Sequence, residues 1–238
     1  EMQSILGLIS RVADSALTVL LQGETGTGKK LIARALHECS GRSDKPIVTV
    51  DCAALPESIL ESELFGYVKG AFTGANTDRP GILEQADGGT VFLDEIDKAG
   101  IPVQRRFLHL LDCGEIRPVG GRSYRTLDIR VVCATSAPEL RKEVEGGRFI
   151  KDLYFRLNDI NIMVPPLRRR KEDTALLAEY FADVYAQEMQ KDIGGISQMA
   201  MRKLLDYDWP GNVREIEKVM RRAVTLADEG ETIGLDLL

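Results

Sequence analysis

A glycine-rich segment near the start of the chain has the residue types and spacing of a phosphate-binding loop. Residues 23–29 read Gly-Glu-Thr-Gly-Thr-Gly-Lys, with a short apolar run before them and a helical pattern after them. Glycines permit a tight turn whose backbone N–H groups point at one anion, and the following helix N-terminus adds a positive dipole. Lys29 can reach the terminal phosphates of a nucleotide. Because strand, loop and helix are in register, we favour a phosphate site over a chance glycine turn.

The residue after Lys29 departs from the usual pattern of such loops. That position normally holds serine or threonine, whose hydroxyl binds magnesium. Here it is Lys30, which cannot bind the metal. The predicted ATP-binding residues of this segment are Gly23, Glu24, Thr25, Gly26, Thr27, Gly28, Lys29 and Lys30.

Two carboxylates follow a second apolar run. Residues 90–93 read Thr-Val-Phe-Leu, and Asp94 and Glu95 come directly after them. Asp94 can hold magnesium, directly or through water, and Glu95 can polarise a water that attacks the γ-phosphate. Alone, this segment is no more than a strand followed by an acidic turn. After a phosphate-binding loop, at a separation that allows adjacent strands, it becomes strong evidence for a nucleotide-hydrolysing site.

These candidate sites lie in a chain whose strand and helix patterns alternate. The alternation predicts an α/β domain with a largely parallel sheet. A Gly-Gly pair among β-forming residues also makes a hairpin plausible within residues 114–124. The predicted strands are 17–22, 46–50, 90–93, 127–134 and 160–164, and the predicted helices are 29–39, 58–64, 79–86 and 103–113.

The pattern changes after residue 164. Two prolines and a basic run at 167–171 are followed only by helical periodicity, at 172–190, 197–205 and 213–228. We therefore predict an α/β nucleotide-binding domain over residues 1–165 and a small all-helical lid domain over residues 166–238.

Composition excludes several classes of protein. With 44% hydrophobic and 29% charged residues, the chain has the balance of a globular protein rather than a collagen-like, mucin-like or disordered one. Its formal charge of −6 argues against non-specific DNA binding by this chain alone. No apolar stretch is long enough to cross a bilayer, and the four scattered cysteines fit no zinc pattern. Because it lacks an initiator methionine, we expect a fragment of a longer protein. We expect no signal peptide, because Glu1 stands in place of a basic segment and no small-residue cleavage site follows, and we expect no membrane association.

A hexapeptide between the two nucleotide motifs narrows the interpretation. Residues 70–75 read Gly-Ala-Phe-Thr-Gly-Ala and are preceded by Glu-Leu-Phe-Gly-Tyr at 63–67. Together with the nucleotide motifs, this segment resembles the AAA+ ATPase domain of the sigma-54-dependent bacterial transcription activators. The resemblance runs from about Met2 to Asp228. It implies an AAA+ P-loop NTPase fold with a helical lid, ATP and magnesium as cofactors, and a bacterial cytoplasmic location.

The resemblance also implies partners. The hexapeptide tips a loop that contacts sigma-54 in the RNA polymerase when a ring of subunits binds nucleotide. The ring is expected to be a hexamer, with a heptamer as the alternative, and DNA is expected to be bound only by a domain outside this chain. The implied sigma-54 contacts are Gly70, Ala71, Phe72, Thr73, Gly74 and Ala75.

Further catalytic roles come from the same resemblance. Arg214, in the sensor II segment Trp-Pro-Gly-Asn-Val-Arg-Glu, is expected to contact the nucleotide phosphates, with a surface ion pair as the alternative. Arg156 stands where an arginine finger enters the neighbouring subunit's site. Ser136 takes the sensor I position, and Asp51 takes the position of the residue that pairs with Glu95 as a glutamate switch.

Four positions depart from the family pattern. Lys30 replaces a glutamate, Asp51 and Ser136 replace asparagines, and Ile150 replaces a second arginine finger. Since the other nucleotide-binding and catalytic residues remain, we favour a working ATPase, slowed or altered in its magnesium dependence. The alternative is a nucleotide-gated sigma-54-binding module with weak or no hydrolysis. Asp51 opposite Glu95 would be repulsive, and Lys30 beside Asp51 would relieve that repulsion.

Overall fold

The chain forms two compact units in a computed structural model that describes residues 1–137 and 140–238. The core unit comprises residues 2–23 and 29–163. The lid unit comprises residues 164–238 together with residues 24–28 and Glu1. Most of the phosphate-binding loop therefore groups with the helical C-terminal part of the chain. The division at residue 165 that the sequence predicts stays a prediction.

A five-stranded parallel sheet lies at the centre of the core unit. The strands of this unit are β1 (Val19–Gln22), β2 (Ile47–Asp51), β3 (Thr90–Asp94), β4 (Glu115–Ile116), β5 (Arg125–Thr126), β6 (Arg130–Thr135) and β7 (Ile160–Met163). The sheet order is β2-β3-β6-β1-β7, and every neighbouring pair is parallel. The predicted parallel sheet is confirmed.

Helices connect and flank these strands. They are α1 (Met2–Val12), α2 (Lys29–Glu38), α3 (Glu57–Phe65), α4 (Ile82–Gln85), α5 (Ile101–Cys113), α6 (Leu140–Glu145) and α7 (Lys151–Leu157), with a 3₁₀ turn at Ile96–Lys98. Three of them, α1, α6 and α7, were not predicted. In α1, the buried residues Ile5, Ile9 and Val12 recur at helical spacing and form its inner face.

Two predicted elements start three residues later in the structure than in the prediction. Helix α4 does not start at residue 79, because the backbone of Arg79 pairs in both directions with Tyr67 at 2.9 Å. Strand β6 starts at Arg130 rather than 127. The N–H of Leu127 donates instead to the Gly114 carbonyl at 2.8 Å, and that of Asp128 to a side-chain oxygen of Asp87.

The buried core of this unit fixes the position of the carboxyl end of β3. Val91, Phe92 and Leu93 are all buried, so the strand is covered on both faces. Val103 and Phe107 of α5 belong to the buried residues of the same unit. The first residue of β3 that water reaches after this run is Asp94.

The short antiparallel pair β4–β5 is the predicted hairpin, displaced slightly along the chain. Glu115 pairs with Thr126 and Ile116 with Arg125. The second strand therefore follows the predicted range of 114–124.

The lid unit is helical, as expected. Its helices are α8 (Lys171–Glu188), α9 (Gln198–Asp206) and α10 (Asn212–Leu226), with 3₁₀ turns at Leu167–Arg169 and Leu235–Leu237. They enclose Trp209, which is buried and donates its indole N–H to the Leu204 carbonyl at 2.8 Å. Within the described residues, no helix combines the length and the apolar character needed to span a membrane.

Candidate active site

The carboxyl end of β3 presents two adjacent carboxylates, as the sequence predicts. Asp94 is half-buried, and one of its side-chain oxygens accepts the backbone N–H of Glu95 at 3.1 Å. Glu95 has a φ of 51°, in the left-handed region. Burial raises the pKa of Asp94, and the negative charge of Glu95 raises it further, while Lys29 lowers it. The phosphate-loop lysine therefore acts electrostatically on the predicted magnesium ligand.

Glu95 is held by Ser136 at the end of the neighbouring strand β6. The Ser136 hydroxyl lies 2.5 and 2.6 Å from the two carboxylate oxygens, and its backbone N–H donates to one of them at 3.2 Å. A carboxylate held at both oxygens has a restricted orientation. The predicted sensor I position thus contacts the predicted catalytic base.

Asp51 does not pair with Glu95. It ends β2 directly opposite Asp94 in the sheet register, and its side chain accepts the N–H of Ala53 at 2.9 Å. Its negative charge contributes to the raised pKa of Asp94. Among the described residues, Lys30 forms no ion pair with Asp51, so the expected relief of repulsion by Lys30 is wrong in this structure.

The turn after Glu95 is tied to the same strand end. A side-chain oxygen of Asp97 lies 2.5 Å from the hydroxyl of Thr135, the last residue of β6. That hydroxyl in turn accepts the N–H of Ala137 at 3.0 Å. The backbone on both sides of Ser136 is therefore connected to the segment that carries Glu95.

Cys52, beside Asp51, is not a candidate nucleophile. Burial and the nearby carboxylates raise the pKa of its thiol to about 12. Because the thiolate is the reactive form of cysteine, Cys52 is inert at neutral pH and packs as a small apolar residue.

Lys29 begins α2 and is itself buried. Its ammonium group donates to the Gly23 carbonyl at 2.7 Å. The first N–H groups of a helix have no acceptor within the helix and are available to an anion. The start of α2 therefore combines a lysine with backbone donors, which suits a polyphosphate.

Residues 24–28 lie against the start of α10 in the lid unit. Gly26 has a φ of 79°, and its carbonyl accepts the N–H of Val213 at 2.9 Å. A Cβ at Gly26 would collide with the Gly211 carbonyl oxygen. Only glycine fits this close approach and this φ.

Glu24 of this loop is held by two residues of the lid unit. Its two oxygens accept hydrogen bonds from the Arg168 guanidinium at 2.8 and 2.5 Å. Asn212 donates to it at 3.2 Å. The Arg168 hydrogen bond, and next the Asn212 hydrogen bond, lower the pKa of Glu24. Glu24 thus carries a contact to the lid helices.

Asn212 links three segments of the lid unit and was not singled out by the sequence interpretation. Its side-chain oxygen accepts the Leu167 N–H at 2.8 Å, and its amide nitrogen donates to Glu24 and to the Thr25 carbonyl at 3.1 Å. It is fully buried, with a φ of 54°. The sequence did contain a signal for this residue, an asparagine directly after Pro-Gly. Asparagine tolerates the left-handed region better than most residues.

Two arginines of the lid unit lie near the loop. Arg170, which the sequence analysis treated only as part of a basic run, donates to the Thr27 carbonyl at 2.9 Å. Arg214 is exposed in the first turn of α10, and its Cβ would lie 3.1 Å from a Cβ placed at Gly26. Arg214 forms no ion pair with any described residue, so the alternative of a surface ion pair is not present in this structure.

The predicted finger residue Arg156 is exposed on α7. Its guanidinium pairs with Asp112 at 2.6 Å, and 57% of its side chain is exposed. Ile150 at the start of α7 packs against the core, and its apolar side chain has no charge to offer a phosphate. Arg148 nearby is paired with Glu143 at 2.5 Å.

Residues 70–75 form a turn closed at its base. The Gly70 N–H donates to the Ala75 carbonyl at 2.9 Å, and the Ala75 N–H donates to the Phe72 carbonyl at 3.1 Å. Gly74 has a φ of 103°, which other residues rarely adopt. The Phe72 side chain is 46% exposed, and its ring meets Tyr67 edge-on at 5.0 Å. Phe72 thus packs partly on its own domain and leaves almost half of its surface accessible.

The loop that joins β4 and β5 supports this turn. The Val68 N–H donates to the Val119 carbonyl at 3.1 Å, and the Val119 N–H donates to the Gly66 carbonyl at 2.8 Å. A Cβ at Gly120 would lie 2.8 Å from the Cβ of Ala71. The two loops are therefore in close contact.

Comparison with known proteins identifies the family. A family model described as the Sigma-54 interaction domain matches residues 1–163, which is more than half of the chain. The chain belongs to this family. The remainder of this sigma-54 interaction domain protein, residues 168–238, matches a model described as the AAA+ ATPase lid domain.

The similar curated proteins of this family are bacterial regulators. The Transcriptional regulatory protein ZraR of Salmonella typhimurium is 50% identical over 225 residues, covering 94% of this chain and 51% of the relative. Regulatory protein LuxO of Vibrio cholerae is 43% identical over 237 residues, covering 100% of this chain and 52% of the relative. The chain therefore spans about half the length of these relatives.

Solved structures agree with the fold. NtrX from Brucella abortus, in complex with ATP, is 32% identical with a TM-score of 0.91, covering 100% of this chain and 52% of that chain. NtrX in complex with ADP gives the same values. The predicted AAA+ fold, with a helical lid after the parallel sheet, is confirmed.

The residues of this sigma-54 interaction domain fit a nucleotide with magnesium. Lys29 and the amides at the start of α2 suit a polyphosphate, and Asp94 offers a carboxylate close to Lys29. No group of three or more metal-binding side chains occurs within the described ranges. Magnesium sites with nucleotides commonly use one or two carboxylates plus phosphates and water, and a single carboxylate such as that of Asp94 is compatible with such a site.

Proposed function

We propose that this chain is the ATP-hydrolysing domain of a sigma-54-dependent transcription activator. In this proposal, subunits assemble into a ring, a hexamer or alternatively a heptamer, and remodel sigma-54 RNA polymerase through residues 70–75. The observation that carries the proposal is Glu95, which lies beside Asp94 and is held at both carboxylate oxygens by Ser136. Membership of the sigma-54 interaction domain family supports the partner.

Glu95 is the base for hydrolysis. Water attacks the γ-phosphorus in line while the bond to the bridging oxygen of ADP breaks. Glu95 orients this water and takes its proton, which then passes to the released phosphate. The Ser136 hydrogen bonds place the carboxylate before the water arrives, and such fixed orientation lowers the barrier.

Asp94 and Lys29 act on the phosphates. Asp94 would hold magnesium, which supplies positive charge to the β- and γ-phosphate oxygens when it is bound. The ammonium group of Lys29 adds charge there, and the amides at the start of α2 bind the phosphate oxygens. Lys30 cannot replace the missing hydroxyl, so we infer a weaker dependence on magnesium than in proteins that have it.

Arg156 is the arginine finger in this proposal. It is exposed, and its only described ion pair is with the partly exposed Asp112. Exposed pairs of this kind stabilise a protein by about 1 kcal/mol or less. Arg156 can therefore leave Asp112 at little cost and reach the γ-phosphate bound to the neighbouring subunit. Arg214, which has no ion pair among the described residues, is the proposed sensor II contact to the phosphates.

Phe72 is the proposed anchor on sigma-54. Aromatic residues, phenylalanine among them, are enriched in protein–protein interfaces relative to the rest of the surface. We infer that DNA is bound by a part of the protein outside this chain, because the net charge of −6 is unfavourable for DNA phosphates.

A nucleotide-gated binding module without hydrolysis is the second candidate. Ile150 favours it, because its side chain belongs to the core and leaves Arg156 as the proposed finger. In that case the chain binds ATP and assembles, but it releases no phosphate.

Phosphate release from ATP by the wild type and by Glu95→Gln tests the proposal. The expected result is a loss of at least about 100-fold in Glu95→Gln, as for removal of a general base, with ATP binding retained. Equal rates in the two proteins would refute the role of Glu95. A wild type that binds ATP at ring-forming concentrations but releases no phosphate would establish the second candidate.

A further inference from the structure

Gln104 is a fully buried polar side chain outside the motifs considered so far. It lies in the first turn of α5, and its amide nitrogen donates to the Ala99 carbonyl at 2.7 Å and to the Arg148 carbonyl at 3.0 Å. Its oxygen accepts the Ile150 N–H at 2.8 Å. One side chain thus satisfies three backbone groups.

The three backbone groups belong to two functional segments. Ala99 follows the 3₁₀ turn that begins directly after Glu95. Arg148 and Ile150 precede α7, the helix that carries Arg156. The amide therefore connects the backbone beyond the catalytic base to the start of the finger helix.

We propose that Gln104 is a positioning residue that sets the place of Arg156 relative to the segment carrying Glu95. The inference rests on the proposed ATPase function. A movement of the turn after Glu95 pulls or releases Ala99, and Gln104 passes that displacement to the start of α7. The nucleotide site of one subunit is thereby coupled to the finger that the same subunit offers to its neighbour.

Substitutions can distinguish the hydrogen-bonding role of Gln104 from the mere filling of its volume in the core. Glutamine offers two donors and an acceptor, and the three contacts use both kinds of group. Glutamate of the same shape keeps the acceptor for Ile150, but it loses both donated bonds and places a buried carboxylate against the Ala99 and Arg148 carbonyls. Methionine fills a similar volume and makes none of the three. Gln104→Glu and Gln104→Met therefore form a graded pair.

Mixed rings give the decisive readout. In a Gln104→Met ring, we expect phosphate release to fall at least about 10-fold, with the KM for ATP within about 2-fold of wild type because the finger acts in the transition state. Gln104→Met subunits keep Glu95, and Glu95→Gln subunits keep a well-placed Arg156. Mixing the two impaired proteins should raise phosphate release above that of either protein alone, as should mixing Arg156→Ala with Glu95→Gln. Gln187→Met, which alters an exposed glutamine of the lid, should keep the wild-type rate.

The outcomes separate this inference from the proposed function. If the Arg156→Ala mixture regains activity and the Gln104→Met mixture does not, Gln104 does not act through the finger and the inference is overturned. If the Arg156→Ala mixture also stays inactive, delivery of Arg156 between subunits is wrong, and the inference falls with it. A wild type without phosphate release overturns the ATPase proposal itself.

Hydrogen exchange provides a second measurement should the variants fail to assemble. Residues 148–157 should exchange faster in Gln104→Met than in the wild type, because methionine offers no acceptor for the Ile150 N–H. Equal exchange in the wild type and both variants would overturn the link between Gln104 and α7.

Discussion

The two carboxylates at the end of β3 differ in their surroundings, and the difference separates their roles. Asp94 is half-buried beside Lys29, and burial raises its pKa. Glu95 is held by the Ser136 hydroxyl. In the proposed mechanism, a carboxylate that is destabilised while charged gains most from a bound cation, whereas an oriented carboxylate suits a base.

Replacing Asp94 tests whether its charged carboxylate destabilises the folded protein. A raised folded-state pKa means that the charged carboxylate opposes folding at pH values above the ordinary aspartate range. Asp94→Asn keeps the oxygen that accepts the Glu95 N–H. The nucleotide-free variant should therefore unfold at a higher temperature than the wild type at pH 7. The difference should shrink as the pH falls through the raised pKa of Asp94 and below the ordinary aspartate value, because Asp94 is then neutral in both states. A variant that is less stable at pH 7 contradicts this account.

Ser136 is expected to orient Glu95. Ser136→Ala removes the hydroxyl that lies within 2.6 Å of both carboxylate oxygens. Phosphate release should fall about 10-fold with little change in the KM for ATP, since misplacing a catalytic group lowers kcat. Ser136→Thr keeps the hydroxyl and is the control. An unchanged kcat in Ser136→Ala would show that the backbone N–H alone holds Glu95.

At the scale of elements, the start of α10 organises the lid unit around the phosphate-binding loop. Asn212 joins the backbone of Leu167 to Glu24 and Thr25, and Val213 donates to Gly26. Residues 24–28 and the lid helices are thereby one hydrogen-bonded assembly within the lid unit.

Asn212→Gly isolates the side-chain contacts of this assembly. Glycine adopts the φ of 54° without strain, so the change removes hydrogen bonds and not the backbone conformation. It leaves the buried Leu167 N–H without its partner, and we expect a loss of about 1–3 kcal/mol in the free energy of unfolding. Urea denaturation measures this loss.

Gln190→Gly is the matched control for Asn212→Gly. Gln190 also has a φ of 54° in the lid unit, but its side chain is exposed. The control should not lose stability. Equal effects of the two substitutions would contradict the role of the Asn212 side chain.

Local patterns predicted the elements whose signals are contiguous in the chain. The loop around Lys29, strand β3 and the carboxylates Asp94 and Glu95 follow this rule. Helix α7 was not predicted, because Ile150 and Arg156 were interpreted as finger positions and not as parts of a helix. Its inner residues, Leu153 and Leu157, lie i, i+4 apart and were the missed signal.

Contacts between distant residues could not be predicted in this way. Ser136 is 41 residues from Glu95, and Asn212 is 45 residues from Leu167. Such pairs depend on strand order and on the folding of the lid. The family pattern placed the partner of Glu95 at Asp51, whereas the sheet register sets Asp51 beside Asp94.

At the scale of the whole molecule, α5 offers a route from the catalytic turn to the proposed sigma-54 loop within the core unit. The helix starts at Ile101, shortly after Glu95, and ends at Cys113, before the β4–β5 hairpin. The hairpin loop in turn bonds to Val68 at the base of residues 70–75. We infer that a displacement produced by hydrolysis at Glu95 is transmitted through α5 and the hairpin loop to Phe72.

The most direct test of this account is promoter opening by sigma-54 RNA polymerase with ATP. Tyr180→Ala, which removes another exposed aromatic ring, is the control. Phe72→Ala should keep phosphate release within about 2-fold of wild type, because Phe72 lies outside the nucleotide motifs, and should reduce opening at least about 10-fold, as for loss of an interface hot spot. Opening by Phe72→Ala at the wild-type rate would contradict the central claim that ATP hydrolysis acts on sigma-54 through this side chain.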